Sequence, residues 1–307
     1  MNMIIRVTTT PPLVSVVIPV FNRAALISRA LDSVANQTFD DYEIIVVDDG
    51  STDGTAESIQ NWGADRLRLI RNPQNRGAAA ARNIGVSAAL GRWIAFLDSD
   101  DCWEPEKLAR QLTALDGASA ESMACGTGYH LWDGNRKTTV QFRMSPAQFR
   151  VEIRFGCSIS PGSTLLVARR AFRKVGGFDE SLRRLEDWDW LLRFVDHGDI
   201  IFVPEPLAHI YQNKPEVICG DQDPFLLALQ NIAARHKPRF QKLGWLARRQ
   251  FQSSIFIELA ARMYHLNRPI TAIRYVLVSL AIYPFRNRSF FNMLWRSITE
   301  LVRKQRL

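Results

Sequence analysis

Between residues 14 and 115 the chain alternates short Val- and Ile-rich runs with segments of helical periodicity, and few architectures accept that order. "VSVVIPV" (14–20) is an apolar run of strand length and reads as a buried strand. Asn22 follows as the expected cap of a helix whose apolar positions Ile27, Ala30, Leu31 and Val34 recur at helical spacing. Glu43–Val47 is a second buried strand, which breaks at Asp48-Asp49-Gly50 before a helix through Ile59. "RLRLIRN" alternates as a third strand, and "NRGAAAARNIGVSAALG" reads as a helix from near Gly77 to Gly91. "RWIAFLDSDD" is the fourth strand, and "PEKLARQLTAL" the next helix, with Pro105 in its first turn. Such alternation predicts a parallel, doubly wound α/β sheet, in which ligands bind at the carboxyl ends of strands. Asp48/Asp49 and Asp98/Asp100 fall at two such ends.

The remainder is less regular. A strand is expected around Ser163–Val167, turns at Gly176-Gly177, and a helix at "EDWDWLLRFVDHG". "DIIFVPEPLAHIY" is strand-like but reads as broken by Pro204 and Pro206. Beyond about residue 220 only helices are expected. "FQSSIFIELAARMYHL" repeats apolar residues at 251, 255, 259 and 263. "SFFNMLWRSITELVRKQRL" places Phe290, Phe291, Leu294, Trp295, Ile298, Leu301 and Val302 opposite Arg296, Glu300 and Arg303.

Charge follows the same division. Residues 235–307 hold 15 Lys/Arg and two acids, a net of +13, whereas residues 1–234 hold 24 Lys/Arg and 29 acids, a net of −5. A basic tail of this kind fits either a solvated helical face or an anionic surface, phospholipid or nucleic acid. No nucleic-acid reading motif is recognisable, so no nucleic-acid partner is expected. Cys102, Cys125, Cys157 and Cys219 are widely spaced and contain no C-x-x-C pair, which predicts reduced thiols. The start of the chain lacks a signal-peptide core, and no run of about 18 apolar residues predicts a spanning helix. A cytoplasmic location is therefore expected, peripheral on the cytoplasmic face of the membrane if the tail binds lipid.

Four segments carry the chemistry. On a strand, residues two apart share a face, so Asp98 and Asp100 would point at one object. Mg²⁺ or Mn²⁺ suits one or two carboxylates plus substrate phosphates, and the softer Cys/His set of a zinc cage is missing. Helix capping is the plainer use of the same acids. In "VVDDGSTDGT", Gly50 permits a sharp turn and an acid after a strand can accept from a ribose or a base, although this is also ordinary turn chemistry. "NRGAAAARN" offers a helix start that favours an anion, with Arg76 and Arg82 adding charge, or else simply close packing for its alanines. In "LEDWDWLLRF", Asp187 borders an apolar stripe of Trp188, Leu191, Leu192 and Val195 that would raise its pKa and make it a usable base. The acids there also suit the first turn of a helix.

Together, "VSVVIPVFNRAALISRALDSVANQTFDDYEIIVVDDGSTDGT", "NRGAAAARNIGVSAALGRWIAFLDSDD", "VGGFDESL" and "EDWDWLLRF" resemble the inverting glycosyltransferases of family 2, over roughly residues 13–210. The resemblance implies a GT-A fold, a doubly wound mixed sheet with a helical C-terminal extension. Its catalytic domain would cover 1–220, with a donor-binding half at about 13–115 and an acceptor half at about 116–220, and the basic extension would cover 221–307. It further implies a nucleotide-diphospho-sugar donor, a UDP-sugar first among the choices, and Mg²⁺ or Mn²⁺. By the same resemblance Asp49 would contact the nucleobase, with Pro19 and Asn22 beside it. Asp98 would face the ribose, with Ser99 next to it, and Asp100 would bind the metal. Arg82 would lie in the donor region, Asp187 would be the catalytic base, and Glu186 would be near the acceptor or sugar. Many relatives have Tyr-Arg where this chain has Tyr211-Gln212.

The implied acceptor is a carbohydrate or lipid-linked glycan of the cell envelope. Two other classes share some of these features. A nucleotidyltransferase would be expected to carry a Gly-rich loop after the first strand, where this chain has "PVFNRA". A nucleotide-sugar sensor would not need Asp187.

Overall fold

The computed structural model describes residues 10–63, 65–212 and 223–285. They divide into two compact units. The first comprises Met1–Phe149, Ile159–Ser181 and Arg193–Glu216; the second comprises Arg150–Ser158, Leu182–Leu192 and Val217–Leu307.

The first unit carries a nine-stranded mixed sheet. Its amino-terminal half runs β1 (Val14–Val20), α1 (Ile27–Ala35), β2 (Tyr42–Asp48), α2 (Thr55–Trp62), β3 (Leu67–Arg71), α3 (Ala78–Ala88) and β4 (Trp93–Phe96). These four strands are parallel and lie in the order β3-β2-β1-β4. All seven residues of β1 are buried, the pattern of a central parallel strand covered on both faces. β3, at the edge, is only half-buried. Helix α1 buries Ile27, Ala30, Leu31 and Val34, the stripe its spacing predicts. The alanines of α3 serve packing: Ala79, Ala80 and Ala81 are buried, and a Cβ at Gly85 would lie 2.3 Å from Val17 Cγ1.

The second half of the sheet follows β5 (Cys102–Trp103), α4 (Lys107–Asp116), β6 (Ser122–Asp133), β7 (Arg136–Val140), α5 (Pro146–Glu152), α6 (Pro161–Thr164), β8 (Leu166–Ala168), α7 (Arg169–Val175), α8 (Glu186–Phe194) and β9 (Asp199–Gln212). β8 lies antiparallel between β4 and β6, β9 runs parallel to β6, and β5 pairs antiparallel with β9. Two local expectations need correction. Ser163 belongs to the short helix α6, and the strand starts only at Leu166. β9 is not broken at its prolines. The ladder steps from Val203↔Thr127 to Pro206↔Gly128 and then to Ala208↔Tyr129, so bulges absorb the residues that cannot pair.

Behind β5 lies an unusual charge. Lys107 is fully buried; its Nζ donates to Gln111 Oε1 at 2.9 Å and sits 4.0 Å from the Trp103 ring centre. Burial lowers its pKa to about 7, and burial likewise pushes the neighbouring Cys125 thiol up to about 12.

In the second unit, α9 (Pro224–Lys242), α10 (Trp245–His265) and α11 (Pro269–Ile282) form the helical extension expected after about residue 220. Asp223 caps α9 by accepting from Phe225 N at 2.9 Å and pairs with Arg262 Nε at 2.6 Å. The buried face of α10 differs from the expected one. Phe251 and Met263 are buried, but Ile255 and Leu259 are only half-buried, and Ser253, Ser254, Ile257 and Ala260 take the inner positions. The serines are inside because Ser253 Oγ meets Ser279 Oγ at 2.7 Å, a small hydroxyl pair joining α10 to α11. The helix expected at 289–307 lies outside the described residues. Among those described, no helix is long and apolar enough to cross a membrane.

Candidate active site

The carboxyl ends of β1 and β2 are fastened to each other. Asn22 has φ 52°, a left-handed conformation that asparagine tolerates. Its N–H donates to Ser51 Oγ at 2.9 Å, and its Oδ1 accepts from Thr52 N at 2.9 Å. Arg23 N donates to Thr55 Oγ1 and Ala24 N to Asp53 Oδ2. Asn22 is therefore a latch between loops, and it does not cap α1, which begins five residues later. Pro19 lies beyond the last β1–β4 partner pair, Val17↔Phe96, so its missing N–H leaves that pairing intact.

Asp49 has a structural task that sequence did not reveal. It is 3% exposed. Its Oδ1 accepts from Asn72 Nδ2 at 2.8 Å, and its Oδ2 accepts from Arg76 N at 2.9 Å and Gly77 N at 2.6 Å. The anion at the start of α3 is thus the protein's own carboxylate. Arg76 points its guanidinium at Glu180, 2.8 Å away. Gly50 (φ 82°) makes room for this loop: a Cβ there would lie 2.9 Å from the Gln74 backbone.

Past β4 the backbone does not continue as a strand. Asp98 to Asp101 form a turn, with Asp101 N donating to Asp98 O at 3.0 Å, so period-two alternation does not explain how Asp98 and Asp100 are presented. Within the turn the acids divide by environment. Asp101 is 4% exposed and accepts from Ser163 Oγ at 2.5 Å and Tyr211 N at 3.0 Å. Burial, then the Asp98 charge, pushes its carboxyl well above the usual range. Ser99 is buried. Asp98 and Asp100 remain half-open. Arg82, 6% exposed, donates from Nη2 to Asp98 Oδ1 at 2.7 Å, and Arg23 Nε lies 3.7 Å from Asp100 Oδ2. Arg29 donates to the Asp100 carbonyl, and its guanidinium stacks 3.8 Å from the Tyr211 ring centre. Gly162 faces Asp98 so closely that a Cβ would fall 2.4 Å from Oδ2.

This donor set fits a hard divalent cation. Asp98 and Asp100 are two half-open carboxylates on one turn, each also met by an arginine, and a side chain at 162 would close the space beside Asp98. Among the described residues no group of three or more His, Cys, Asp or Glu stands ready to hold a metal ion. His209 is not placed to join. Its Nδ1 accepts from Trp132 Nε1 at 3.0 Å, which puts the proton on Nε2, facing Glu104 Oε1 at 2.7 Å.

In the second unit, α8 opens with Glu186 and Asp187, both half-buried, directly after Leu185 at φ 61°. Trp188 N donates to Asp187 Oδ1 at 2.7 Å. The helix is anchored by the next two residues. Trp188 is fully buried, gives its Nε1–H to Ile153 O at 2.7 Å, and packs against Phe251. Asp189, also fully buried, meets His236 Nε2 at 2.9 Å and Arg235 Nη1 at 3.2 Å.

Residues 15–176, more than half of the chain, match the family model described as "Glycosyl transferase family 2". The chain belongs to glycosyltransferase family 2. An uncharacterised glycosyltransferase of Rickettsia prowazekii is 33% identical over 203 residues, 64% of this chain and 63% of that protein. The chain thus spans just under two thirds of that relative's length. The putative teichuronic acid biosynthesis glycosyltransferase TuaG of Bacillus subtilis is 43% identical over 127 residues, 40% of this chain and 49% of TuaG. The fold is the GT-A fold: the crystal structure of S. aureus TarS 1-349 in complex with UDP-GlcNAc matches with a TM-score of 0.68 at 19% identity, covering 88% of this chain and 81% of that one.

Several residues that position these acids in each unit left little trace in the sequence. Gly162 reads as one half of a Pro-Gly turn, and its role emerges only when α6 is brought against the acid turn. Arg23 and Arg29 sit in the first βα segment, where the pattern marks only a helix. His236 and Arg235 lie 46 or more residues from the acid they hold. The one available signal was an adjacent Arg-His pair beside a helical apolar stripe.

Proposed function

We propose that this chain is an inverting glycosyltransferase that moves a sugar from a nucleotide-diphospho-sugar, a UDP-sugar, to an acceptor hydroxyl on a cell-envelope polysaccharide or lipid-linked glycan. The observation that carries the reading is the half-open Asp98/Asp100 turn at the carboxyl end of β4, backed by buried Arg82 and faced by Gly162. The UDP-GlcNAc bound in that TarS complex supports a UDP-sugar, and the name of TuaG supports an envelope polysaccharide.

In this reading Pro19 and Asn22 lie beside the base, and Asp49 fixes the loop before α3 as well as facing the base. Asp98, oriented by Arg82, accepts from the ribose, with Ser99 supporting the turn. Asp100, with Asp98 nearby, would hold Mg²⁺ or Mn²⁺, and the bound ion would neutralise charge on the leaving diphosphate. Asp187 takes the proton from the acceptor hydroxyl as its oxygen attacks the anomeric carbon from the face opposite the leaving group, which inverts that centre. Glu186 orients the acceptor or sugar.

A thermal-shift screen of UDP-, GDP- and dTDP-sugars with Mn²⁺ or Mg²⁺ tests the donor. A UDP-sugar is expected to raise the melting temperature, because it binds the folded chain. Gly162→Ala, whose Cβ would displace the Asp98 carboxylate, is expected to lose that shift while still melting cooperatively without ligand. A wild-type chain that answers to no nucleotide sugar would overturn the reading.

A peripheral membrane position belongs to the same proposal. Leu243 (49% exposed), Trp245 (69%) and Leu246 (51%) crowd the turn between α9 and α10, beside Lys242, Arg248 and Arg249. Arg249 stacks 5.0 Å from the Trp245 ring centre. Amphipathic aromatic and basic side chains together suit an anionic lipid surface. Replacing Trp245 and Leu246 by Ala is expected to weaken binding to phosphatidylglycerol vesicles, read by sedimentation, by at least about a hundredfold, given about 1.5–3 kcal/mol for each fully buried large apolar side chain. Equal sedimentation of both proteins at low salt would remove the membrane from the proposal.

A further inference from the structure

The opposite end of the β1–β4 pair holds a second concave site. A cleft of about 400 Å³ opens where β1 and β4 begin, with Pro12, Leu13, Leu90 and Trp93 in its lining. Arg92, Arg169, Arg170 and Arg173 also line it, and Arg169 and Arg173 extend into an adjoining hollow of about 370 Å³ beside Asn83 and Ser87. The volume lies within the range of about 300–1,000 Å³ usual for small-molecule sites. Trp93 in the lining stands five residues before Asp98 along β4 and its continuation, so at about 3.3 Å per residue the cleft lies roughly 15 Å from the acid turn. It is not an extension of the donor site.

Its charge is out of keeping with its surroundings. Residues 1–234 carry a net −5, yet four guanidiniums gather here. Among the described residues none of the four forms an ion pair with a carboxylate. The acid in the lining, Asp41, accepts from Leu13 N at 3.2 Å. Arg169 is partly committed to Ala89 O and Arg170 to Ala120 O, which fixes two of the forks in place. Arg92 lies 5.9 Å from the Trp93 ring centre, and Arg173 is exposed. Four like charges against the single carboxylate of Asp41 leave the cleft net positive, which favours the arrival of an anion, and planar guanidinium forks match phosphate oxygens in pairs.

We propose that this cleft binds a phosphate-bearing group, a phosphodiester or diphosphate, distinct from the sugar donor. The group is either soluble or carried on a lipid headgroup, and both present the same oxygens to Arg92 and Arg173.

The test is calorimetric titration of the full chain with inorganic pyrophosphate, in the wild type, in Arg92→Ala/Arg173→Ala and in Gly162→Ala. Binding is expected in the wild type, to weaken with added salt, to fall at least tenfold in the double variant, and to persist in Gly162→Ala, whose perturbation lies in the donor turn. Equal affinity in wild type and double variant, or loss of binding in Gly162→Ala alone, would overturn the proposal. Vesicle sedimentation in a Trp245→Ala/Leu246→Ala background then separates the sources. A further drop on adding Arg92→Ala/Arg173→Ala assigns the site to lipid phosphate, and no further drop assigns it to a soluble phosphate group.

Discussion

Asp187→Asn is expected to lower the rate of sugar transfer by about a thousandfold, within the 10²–10⁴ usual for loss of a general base, while leaving the thermal shift produced by the donor unchanged. Asparagine keeps the size and the Oδ1 acceptor of aspartate, so the 2.7 Å bond from Trp188 N survives. The anchorage of α8 also survives, because it rests on Trp188 against Ile153 O and Phe251, and on Asp189 against His236 and Arg235. The substitution removes the negative charge and with it the capacity to accept a proton. The measurement is single-turnover product formation beside donor titration by melting temperature. Transfer at the wild-type rate would show that another group is the base. Loss of both transfer and donor response would show that Asp187 holds the fold or the donor instead.

Lys107→Met is expected to stabilise the chain, by about 3 kcal/mol near pH 7. The folded-state pKa of about 7 lies below the ordinary lysine value of 10.5, so the native state binds fewer protons between those values. The sign follows. The penalty of burying the ammonium is fully present below pH 7, shrinks as pH rises, and vanishes near pH 10.5. At 1.36 kcal/mol per pH unit the full penalty is about 5 kcal/mol. Removing the donor to Gln111 Oε1 returns about 1–2 kcal/mol of it. Methionine matches the lysine stem in length and can keep contact with Trp103. Melting curves of both proteins from pH 6 to 9.5 check this. The gap should be widest at pH 6 and close steadily above pH 7. A variant that melts below the wild type, or a gap independent of pH, would mean that Lys107 stabilises the fold.

The order of strands and helices as far as β4 was legible because local pattern determines it, buried parallel strands being apolar throughout and their helices carrying one stripe; the two-residue β5, held by pairing with distant β9, was not. Expectations failed where a small or polar residue owed its place to a distant partner. Ser253 reads as a surface residue and is buried because Ser279 meets it. Asn22 reads as a helix cap and instead bonds a loop some thirty residues on. The acids after β4 were located correctly by sequence, but their division of labour was not. Which of four neighbouring residues is buried depends on Ser163 and the Tyr211 amide, 62 and 110 residues away from Asp101. Likewise Asp49 stood out as an acid at a strand end, while the backbone amides of Arg76 and Gly77 that occupy it have no sequence signature at all.

The second unit takes residues 182–192 from the middle of the chain and closes them with residues from its far end. Ending translation near residue 220 would thus do more than trim an appendage. It would leave Trp188 without Phe251, and a fully desolvated carboxylate at Asp189 without its imidazole and guanidinium. The segment that carries Glu186 and Asp187 gains its anchors only when α9 and α10 have been made, so a graft of the front 220 residues onto another protein would leave α8 without the partners that hold it.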